Sequence, residues 1–595
     1  MGGRDCGENF PDVLKNMPMK PFLFSCCLSV CTFLATGCTD RAIRTRVAEH
    51  PTTFCNPLNL DYRFMKIQGG AGIREAADPV VVRFKDKYFL FASKSSGYWC
   101  TDDFTEWKHI IVEEPVLPIE DYAPGIFLHD GAVFYVGSSG GRATLYKSTD
   151  PASGRWEKVK DILSYWDPAF LVEGDSLYLY YGSSPVNPIF GQTFRLSTLE
   201  ETGPRVACLN SDAAAHGWER SGERHELQQR PYLEGAWMTR HNGRYYLQYA
   251  APGTQWKTYA DGVYVSASPM GPFTYAENSP VSYKPTGFIG GAGHGCLFQV
   301  GDNYWKAATN SISVRHWFER RLSFYPSGFT ADGHLYTDTY LGDYPLYLPT
   351  GKKGQPLRPD WMLLSFRKQV KTSSQKEGQA AWLVDEDART AWVAEGNGPG
   401  EWVEIDLGQE ATVHAIQVNY DEYGATRQGL QTDVYQSYVL YASHDGKTWS
   451  VIADKRDKTT DTPHDYVEFE IPFRARYIKW QNQAFTLSDN VSLRELRVFG
   501  KGRGKAPEQV GRVTAVRQAD LCRAVVEWEP VEGAEGYIVR AGISPDCMHL
   551  NFQVTDSTRY DLTALNRAAG YCVAVDAYNA NGLTRGKTLR LLPAE

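Results

Sequence analysis

Short apolar runs broken by turn residues dominate the chain, and one of them recurs five times. The runs are Lys87-Tyr-Phe-Leu-Phe-Ala-Ser93, Ala132-Val-Phe-Tyr-Val-Gly-Ser138, Leu177-Tyr-Leu-Tyr-Tyr-Gly-Ser183, Arg244-Tyr-Tyr-Leu-Gln-Tyr-Ala250 and Asn303-Tyr-Trp-Lys-Ala-Ala-Thr309. Each follows a turn signal: Asp86-Lys87, Asp130-Gly131, Gly174-Asp175, Asn242-Gly243 and Gly301-Asp302. The second residue of each run falls at 88, 133, 178, 245 and 304, giving spacings of 45, 45, 67 and 59. Short strands repeating at this period predict the blades of a β-propeller, and five copies predict five blades over residues 55–348. The two longer spacings predict insertions near one mouth of the central channel.

Farther along, Trp402, Glu404 and Asp406 alternate with Val403, Ile405 and Leu407, the signature of a half-buried strand. Two further modules are expected, at 362–502 and 506–595; the families they resemble, named with their motifs below, imply β-sandwiches, and the fold class is all-β. Composition agrees: 13% aromatic residues with 54 Gly and 32 Pro supply strands and turns. With 42% hydrophobic and 22% charged residues, the chain is neither disordered nor a coiled coil. A net charge of −8 argues against nucleic acid as a partner.

The only run apolar enough to engage a membrane is Phe22–Cys38, after Lys20. It reads as a signal peptide rather than a spanning helix. Its exit, Ala35-Thr36-Gly37-Cys38, resembles a bacterial lipobox and predicts lipidation of Cys38, with residues 1–18 an extension ahead of the working start. The expected location is the bacterial cell envelope, with the membrane engaged only through that lipid; a plain secretory signal is the alternative. The seven cysteines after the leader include no C-x-x-C pair, so neither a zinc site nor a disulfide scaffold is expected.

Upstream of each recurring strand, at an offset of 10 or 11 residues, stand Asp78, Asp167, Glu234 and His294, and in the second blade Tyr122-Ala-Pro124. Equivalent hairpins would put these side chains on the channel axis from separate blades. Singly, each could be a turn residue; jointly, three acids and an imidazole beside buried strands point to a site. Facing carboxylates suit glycoside hydrolysis, one activating water and one protonating the leaving oxygen. A third carboxylate would raise the pKa of the acid. Residues from different blades leave room for a water, at separations of about 6.5–9.5 Å, which favours inversion. Trp166, Trp237 and Tyr122 offer aromatic faces for sugar stacking.

These motifs, Ala77-Asp78-Pro79, Tyr122-Ala123-Pro124, Trp166-Asp167-Pro168, Glu234-Gly235-Ala236-Trp237 and Gly293-His294-Gly295, resemble those of glycoside hydrolase family 43 in their order. Tyr122 departs from the usual Trp. The resemblance implies a general base at Asp78, a general acid at Glu234 and a tuning and orienting carboxylate at Asp167. It implies substrate contacts at Tyr122, Trp166, Trp237, His294 and Arg315, no required cofactor, and a structural calcium or water cluster near His294. The substrate class it implies is plant or microbial polysaccharide, acted on by a monomeric, exo-acting, inverting enzyme. An α-L-arabinofuranosidase is the leading expectation; a β-xylosidase, a β-D-galactofuranosidase or a non-catalytic glycan-binding lipoprotein are the alternatives.

The second module, with Asp387-Ala-Arg-Thr-Ala-Trp392, Ser443-His-Asp-Gly-Lys-Thr-Trp449 and Leu493-Arg-Glu-Leu-Arg-Val-Phe-Gly500, resembles a discoidin (coagulation factor 5/8 C-type) domain. Its segment Tyr420–Gly429 reads as a lectin loop or a domain-docking loop. The third module, with Ala524-Val-Val-Glu-Trp528 and Tyr571-Cys-Val-Ala-Val-Asp-Ala577, resembles a fibronectin type III domain and reads as a spacer.

Overall fold

The structure, a computed structural model, describes residues 42–112, 116–138, 142–349 and 354–591. The leader and Cys38 lie outside the described residues. Among those described, helix is confined to three short 3₁₀ turns, and the rest of the regular structure is β.

Five separate antiparallel sheets occupy residues 77–337, each meandering outward from its first strand. Those innermost strands are Ala77–Phe84, Tyr122–His129, Ala169–Glu173, Glu234–His241 and Gly290–Gly293. The recurring runs are the second strands, so this part of the molecule is a five-bladed propeller. Two-residue turns join first strand to second: Phe84 pairs Lys87, His129 pairs Ala132, and His241 pairs Arg244. Asp130-Gly131 and Asn242-Gly243 have positive φ at both positions, the turn whose twist matches a hairpin. In blade 1 the turn is Lys85-Asp86, one residue earlier than the sequence suggests, because Lys87 is already in the ladder. Thr53–Phe54 pairs with Leu346–Tyr347, tying the chain entering the propeller to the chain leaving it.

The innermost strands do not begin smoothly. Register breaks occur between Ala77 and Val80, opposite Tyr122, between Glu234 and Trp237, and between Gly291 and Gly293. At or beside each entry one residue is left-handed: Asp78, Ala123, Asp167, Gly235 and His294, with φ of 56°, 31°, 51°, 65° and 36°. A bulge of this kind re-aims a side chain out of the pleat. Four such breaks, with the left-handed Asp167 at the entry to blade 3, form a ring that turns the entry residues toward the axis.

The second domain is one large sheet folded around Trp392, Trp480 and the inward face Val403, Ile405 and Leu407. Trp449 stays half-buried, with the Lys479 ammonium 5.7 Å over its ring. The segment 420–429 docks on the propeller: Gly429 bridges Phe64, and Asp421 and Glu422 are buried against propeller arginines. The third domain pairs a three-stranded with a five-stranded sheet over Trp528 and Val573. It is not a free spacer. Its core runs on into blade 4, and its Asn566 amide donates to the carbonyls of Glu277 and Ser279 at 2.8 and 2.7 Å. The seven cysteines described are all free and buried.

Candidate active site

The five left-handed entries surround the floor of a cavity of about 700 Å³ at one mouth of the propeller axis. Asp78, Asp167, Glu234 and His294 lie in its wall with Tyr122, Trp166 and Arg320. That volume is within the usual range for small-ligand sites, about 300–1,000 Å³. A cleft of similar volume, about 710 Å³, lies between the propeller and the second domain. Two of its acids are paired, Asp461 with Arg74 and Asp465 with Lys455 and Lys458.

A ring of hydroxyls holds the bulges. Each sits at the end of a second strand, five residues after the repeat marker, and most serve the next blade. Ser93 Oγ accepts the Ala123 N–H at 2.7 Å and donates to the Asp78 carboxylate. Ser138 Oγ accepts the Asp167 N–H at 2.9 Å, and Ser183 donates to Glu234 Oε2 at 3.1 Å. Thr309 Oγ1 accepts the Asp78 N–H at 2.8 Å, closing the ring from blade 5 to blade 1. Blade 4 ends this strand in Ala250 and Ala251, and Asp261 substitutes: its Oδ1 accepts the His294 N–H at 2.8 Å while Lys306 neutralises it. The signal for this ring was in the repeat itself, which ends in Ser, Ser, Ser, Ala and Thr.

The imidazole of His294 is the hub. Its Nδ1 is 3.1 Å from Asp78 Oδ1 and 3.8 Å from Asp167 Oδ2. The Asp78 carboxylate also faces the Arg320 guanidinium at 3.9 Å. Glu234 accepts the Tyr259 hydroxyl at 2.6 Å, and Asp167 accepts the Gly235 N–H at 3.3 Å. Burial pushes the Asp167 carboxyl up to about 7, the charges of Glu234 and Asp78 adding to it and His294 opposing. Burial likewise raises Glu234, with His294 and the Tyr259 hydroxyl opposing. Burial works against a charged His294, yet Asp78, Asp167 and Glu234 outweigh it and raise its pKa. The pocket therefore sets two carboxyls of raised pKa, Asp167 and Glu234, beside Asp78, which the Ser93 hydroxyl, His294 and the Arg320 guanidinium surround.

Gly235 is sterically required. A Cβ there would stand 2.7 Å from His294 Cγ and 3.0 Å from the Ala250 Cβ, at a φ of +65°. Gly235→Ala is expected to cost about 1–3 kcal/mol through strain and overpacking. A lower calorimetric melting temperature would register it; an unchanged one would mean that the hub relaxes freely.

Two expected substrate contacts are displaced. Trp237 does not reach the cavity: it lies three residues along its strand from Glu234, roughly 10 Å at ordinary strand rise, and packs against several apolar clusters of the propeller. Arg315 turns away from the cavity to pair with Glu319 and Asp421, because the second domain presents buried acids there. Tyr122 and Trp166 line the cavity, Trp166 being 48% exposed. Arg320, Tyr259, Trp317 and Phe318 are parts of the site that sequence reasoning missed.

Ligand atoms of Asp167, Glu234 and His294 lie within 4.8 Å of one another. Calcium takes about six to eight oxygens. This set offers an imidazole nitrogen and two carboxylates already engaged by Gly235, Ser183 and Tyr259, so it does not fit direct ligation of calcium.

No curated protein matches the chain in sequence. Among solved structures, a thermostable family-43 glycoside hydrolase is 20% identical, with a TM-score of 0.41, over 50% of this chain and 100% of that one. An endo-1,4-beta-xylanase from Bacteroides thetaiotaomicron is 21% identical, with a TM-score of 0.37, over 47% and 95%. An alpha-L-arabinanase of Cellvibrio cellulosa, complexed with arabinohexaose, is 17% identical, with a TM-score of 0.35, over 45% and 96%. Family models match two segments: Glycosyl hydrolases family 43 at residues 73–335, and F5/8 type C domain at 369–496. The propeller with its ring of acids is thus a family-43 glycoside hydrolase domain, joined to an F5/8 type C domain, and the protein is a glycosidase.

Proposed function

We propose that the cavity removes single terminal sugars from polysaccharide side chains by inversion, with α-L-arabinofuranosides as preferred substrates. Asp78, held by Ser93, His294 and Arg320, takes a proton from the attacking water. Glu234, whose pKa is raised, gives its proton to the leaving oxygen. Asp167 opposes ionisation of Glu234 and fixes the Gly235 backbone beside it. The observation that carries this reading is the convergence of three carboxylates from blades 1, 3 and 4 on one imidazole in one cavity.

Terminal attack is supported by the rim. The connection between blades 3 and 4 brings Gln229, Arg230 and Tyr232 over one side, and Trp317 and Phe318 stand on another. The sugar itself rests on the family resemblance. The third domain is read as fibronectin type III-like, supported by its Tyr571 hydroxyl accepting the Asn566 N–H at 2.9 Å, a corner typical of such sandwiches.

The test is sugar release from 4-nitrophenyl α-L-arabinofuranoside, β-D-xyloside and β-D-galactofuranoside, with the anomer of the first-formed product read by NMR. The arabinofuranoside is expected to be cleaved fastest, with inversion. A faster xyloside or galactofuranoside would replace the sugar, and a retained anomer would overturn the role of Asp78 as base.

A further inference from the structure

The rim aromatics Trp317 and Phe318 are carried on a tight hairpin, residues 312–319, at the edge of blade 5. Little of this hairpin is held by the propeller's own ladder. Its turn closes on one side chain: Glu319 Oε2 accepts the N–H groups of Val314 and Arg315 at 2.9 and 2.8 Å. Ser313 inside it is left-handed, with φ of 51°.

Glu319 is in turn fixed from the second domain. Arg494, fully buried, lies 2.8 Å from Glu319, 2.7 Å from Asp421 and 2.9 Å from Glu422. Arg315 of the hairpin spans Glu319 and Asp421, and Arg321, two residues past Glu319, pairs with Glu422 at 2.6 Å. The acids at 421 and 422 belong to the docked segment 420–429, so the cluster crosses the domain boundary and neutralises itself there. Buried pairs of this kind hold geometry, because losing one partner strands the other's charge.

What the hairpin presents is open. Trp317 is 59% exposed and lines the cavity, while Phe318 stacks under the Arg320 guanidinium at 4.4 Å and lies 5.7 Å from the Tyr122 ring. An exposed indole at the mouth offers its face to the C–H side of a sugar ring. Arg320 follows Glu319 directly and faces Asp78.

We propose that the second domain is a working part of the glycan site: through Asp421, Glu422 and Arg494 it fixes the Glu319 hairpin so that Trp317 forms the platform for the leaving-group sugar. Asp421, Glu422 and Arg494 are positioning residues, acting through Trp317. The inference rests on the proposed reading of the cavity as a terminal-sugar site. It makes the F5/8 type C domain an element of specificity.

The test uses the full chain and compares Asp421→Asn, Trp317→Ala and their double variant. Two substrates are read, 4-nitrophenyl α-L-arabinofuranoside and an arabinofuranosylated xylotriose. For the oligosaccharide, each single variant is expected to raise KM about tenfold, the size of one lost stacking contact. Its kcat is expected to move by less than about twofold. The double variant is expected to be no worse than Trp317→Ala, since both changes remove one interaction. Additive losses, or a loss in kcat with KM unmoved, would overturn the proposal.

Hydrogen exchange at the Val314 and Arg315 amides gives a readout independent of the sugar. It is expected to speed up in Asp421→Asn while the rest of blade 5 is unchanged, and unchanged hairpin exchange would overturn the proposal. Arg315→Gln, at the partly exposed edge of the cluster, removes the same contact if Asp421→Asn does not fold. If the wild-type chain cleaves neither substrate, the sugar assignment falls, and the exchange measurement still decides whether the second domain holds the hairpin.

Discussion

Glu234→Gln is expected to lower kcat by about 10²–10⁴-fold on a glycoside whose leaving group is another sugar, and far less on a dinitrophenyl glycoside. The amide keeps the shape: its oxygen can still accept from Tyr259 while its N–H donates to the Ser183 hydroxyl, so the pocket should stay assembled. What it lacks is the proton. A sugar alkoxide leaves only with that proton, whereas dinitrophenolate leaves without one. Asp78→Asn should behave differently, lowering kcat by a similar factor on both substrates, because activation of water is needed whatever departs. The pair of profiles separates acid from base. An equal loss on both substrates for Glu234→Gln would sink its assignment as the acid, and a leaving-group-dependent loss for Asp78→Asn would exchange the two roles.

The propeller was legible because its strongest signals are local. A turn pair, an aromatic second strand and an offset of 10 or 11 residues each lie within a dozen positions, and five copies reinforce one another. The left-handed bulges that make the offset meaningful were not legible. Only Gly235 among the five carries the residue that such a φ favours; Asp78, Ala123, Asp167 and His294 adopt it because the hydroxyl or carboxylate of the blade behind captures their N–H groups.

The errors share a cause. Proximity in sequence places Trp237 beside Glu234, but the strand runs along the axis and carries the indole away from the mouth. The family resemblance makes Arg315 a substrate contact, yet its partners Asp421 and Glu422 lie over a hundred residues on. Partners at that range leave no trace in local pattern. The docked segment 420–429 could be narrowed to two roles from sequence, and only the buried arginines facing it select docking.

The charge crowding that equips the site also burdens the fold, and Asp167 shows how much. With its carboxyl pushed up to about 7, the folded protein holds a proton there that the unfolded chain releases near its ordinary value. Between roughly pH 4 and 7 the folded state binds more protons, so stability falls as pH rises through that window and the loss is complete above it. Three pH units correspond to about 4 kcal/mol as an order of magnitude. An amide carries no such cost. Asp167→Asn is therefore expected to melt above wild type at pH 8, with the gap closing or reversing at pH 5. His294 moves stability in the same direction: its raised pKa stabilises the folded state below its ordinary value, and that stability is lost as pH rises through the raised one. Comparing the variant with wild type at each pH separates the Asp167 share. The same substitution removes the charge that opposes ionisation of Glu234, so the alkaline limb of the kcat/KM profile should move to lower pH as activity falls. Calorimetry at the two pH values and one pH–rate profile decide the matter. Equal melting differences at pH 5 and 8, with the alkaline limb unmoved, would mean that Asp167 neither bears the cost nor tunes the acid; a more stable and less active variant is what a carboxylate kept for chemistry should yield.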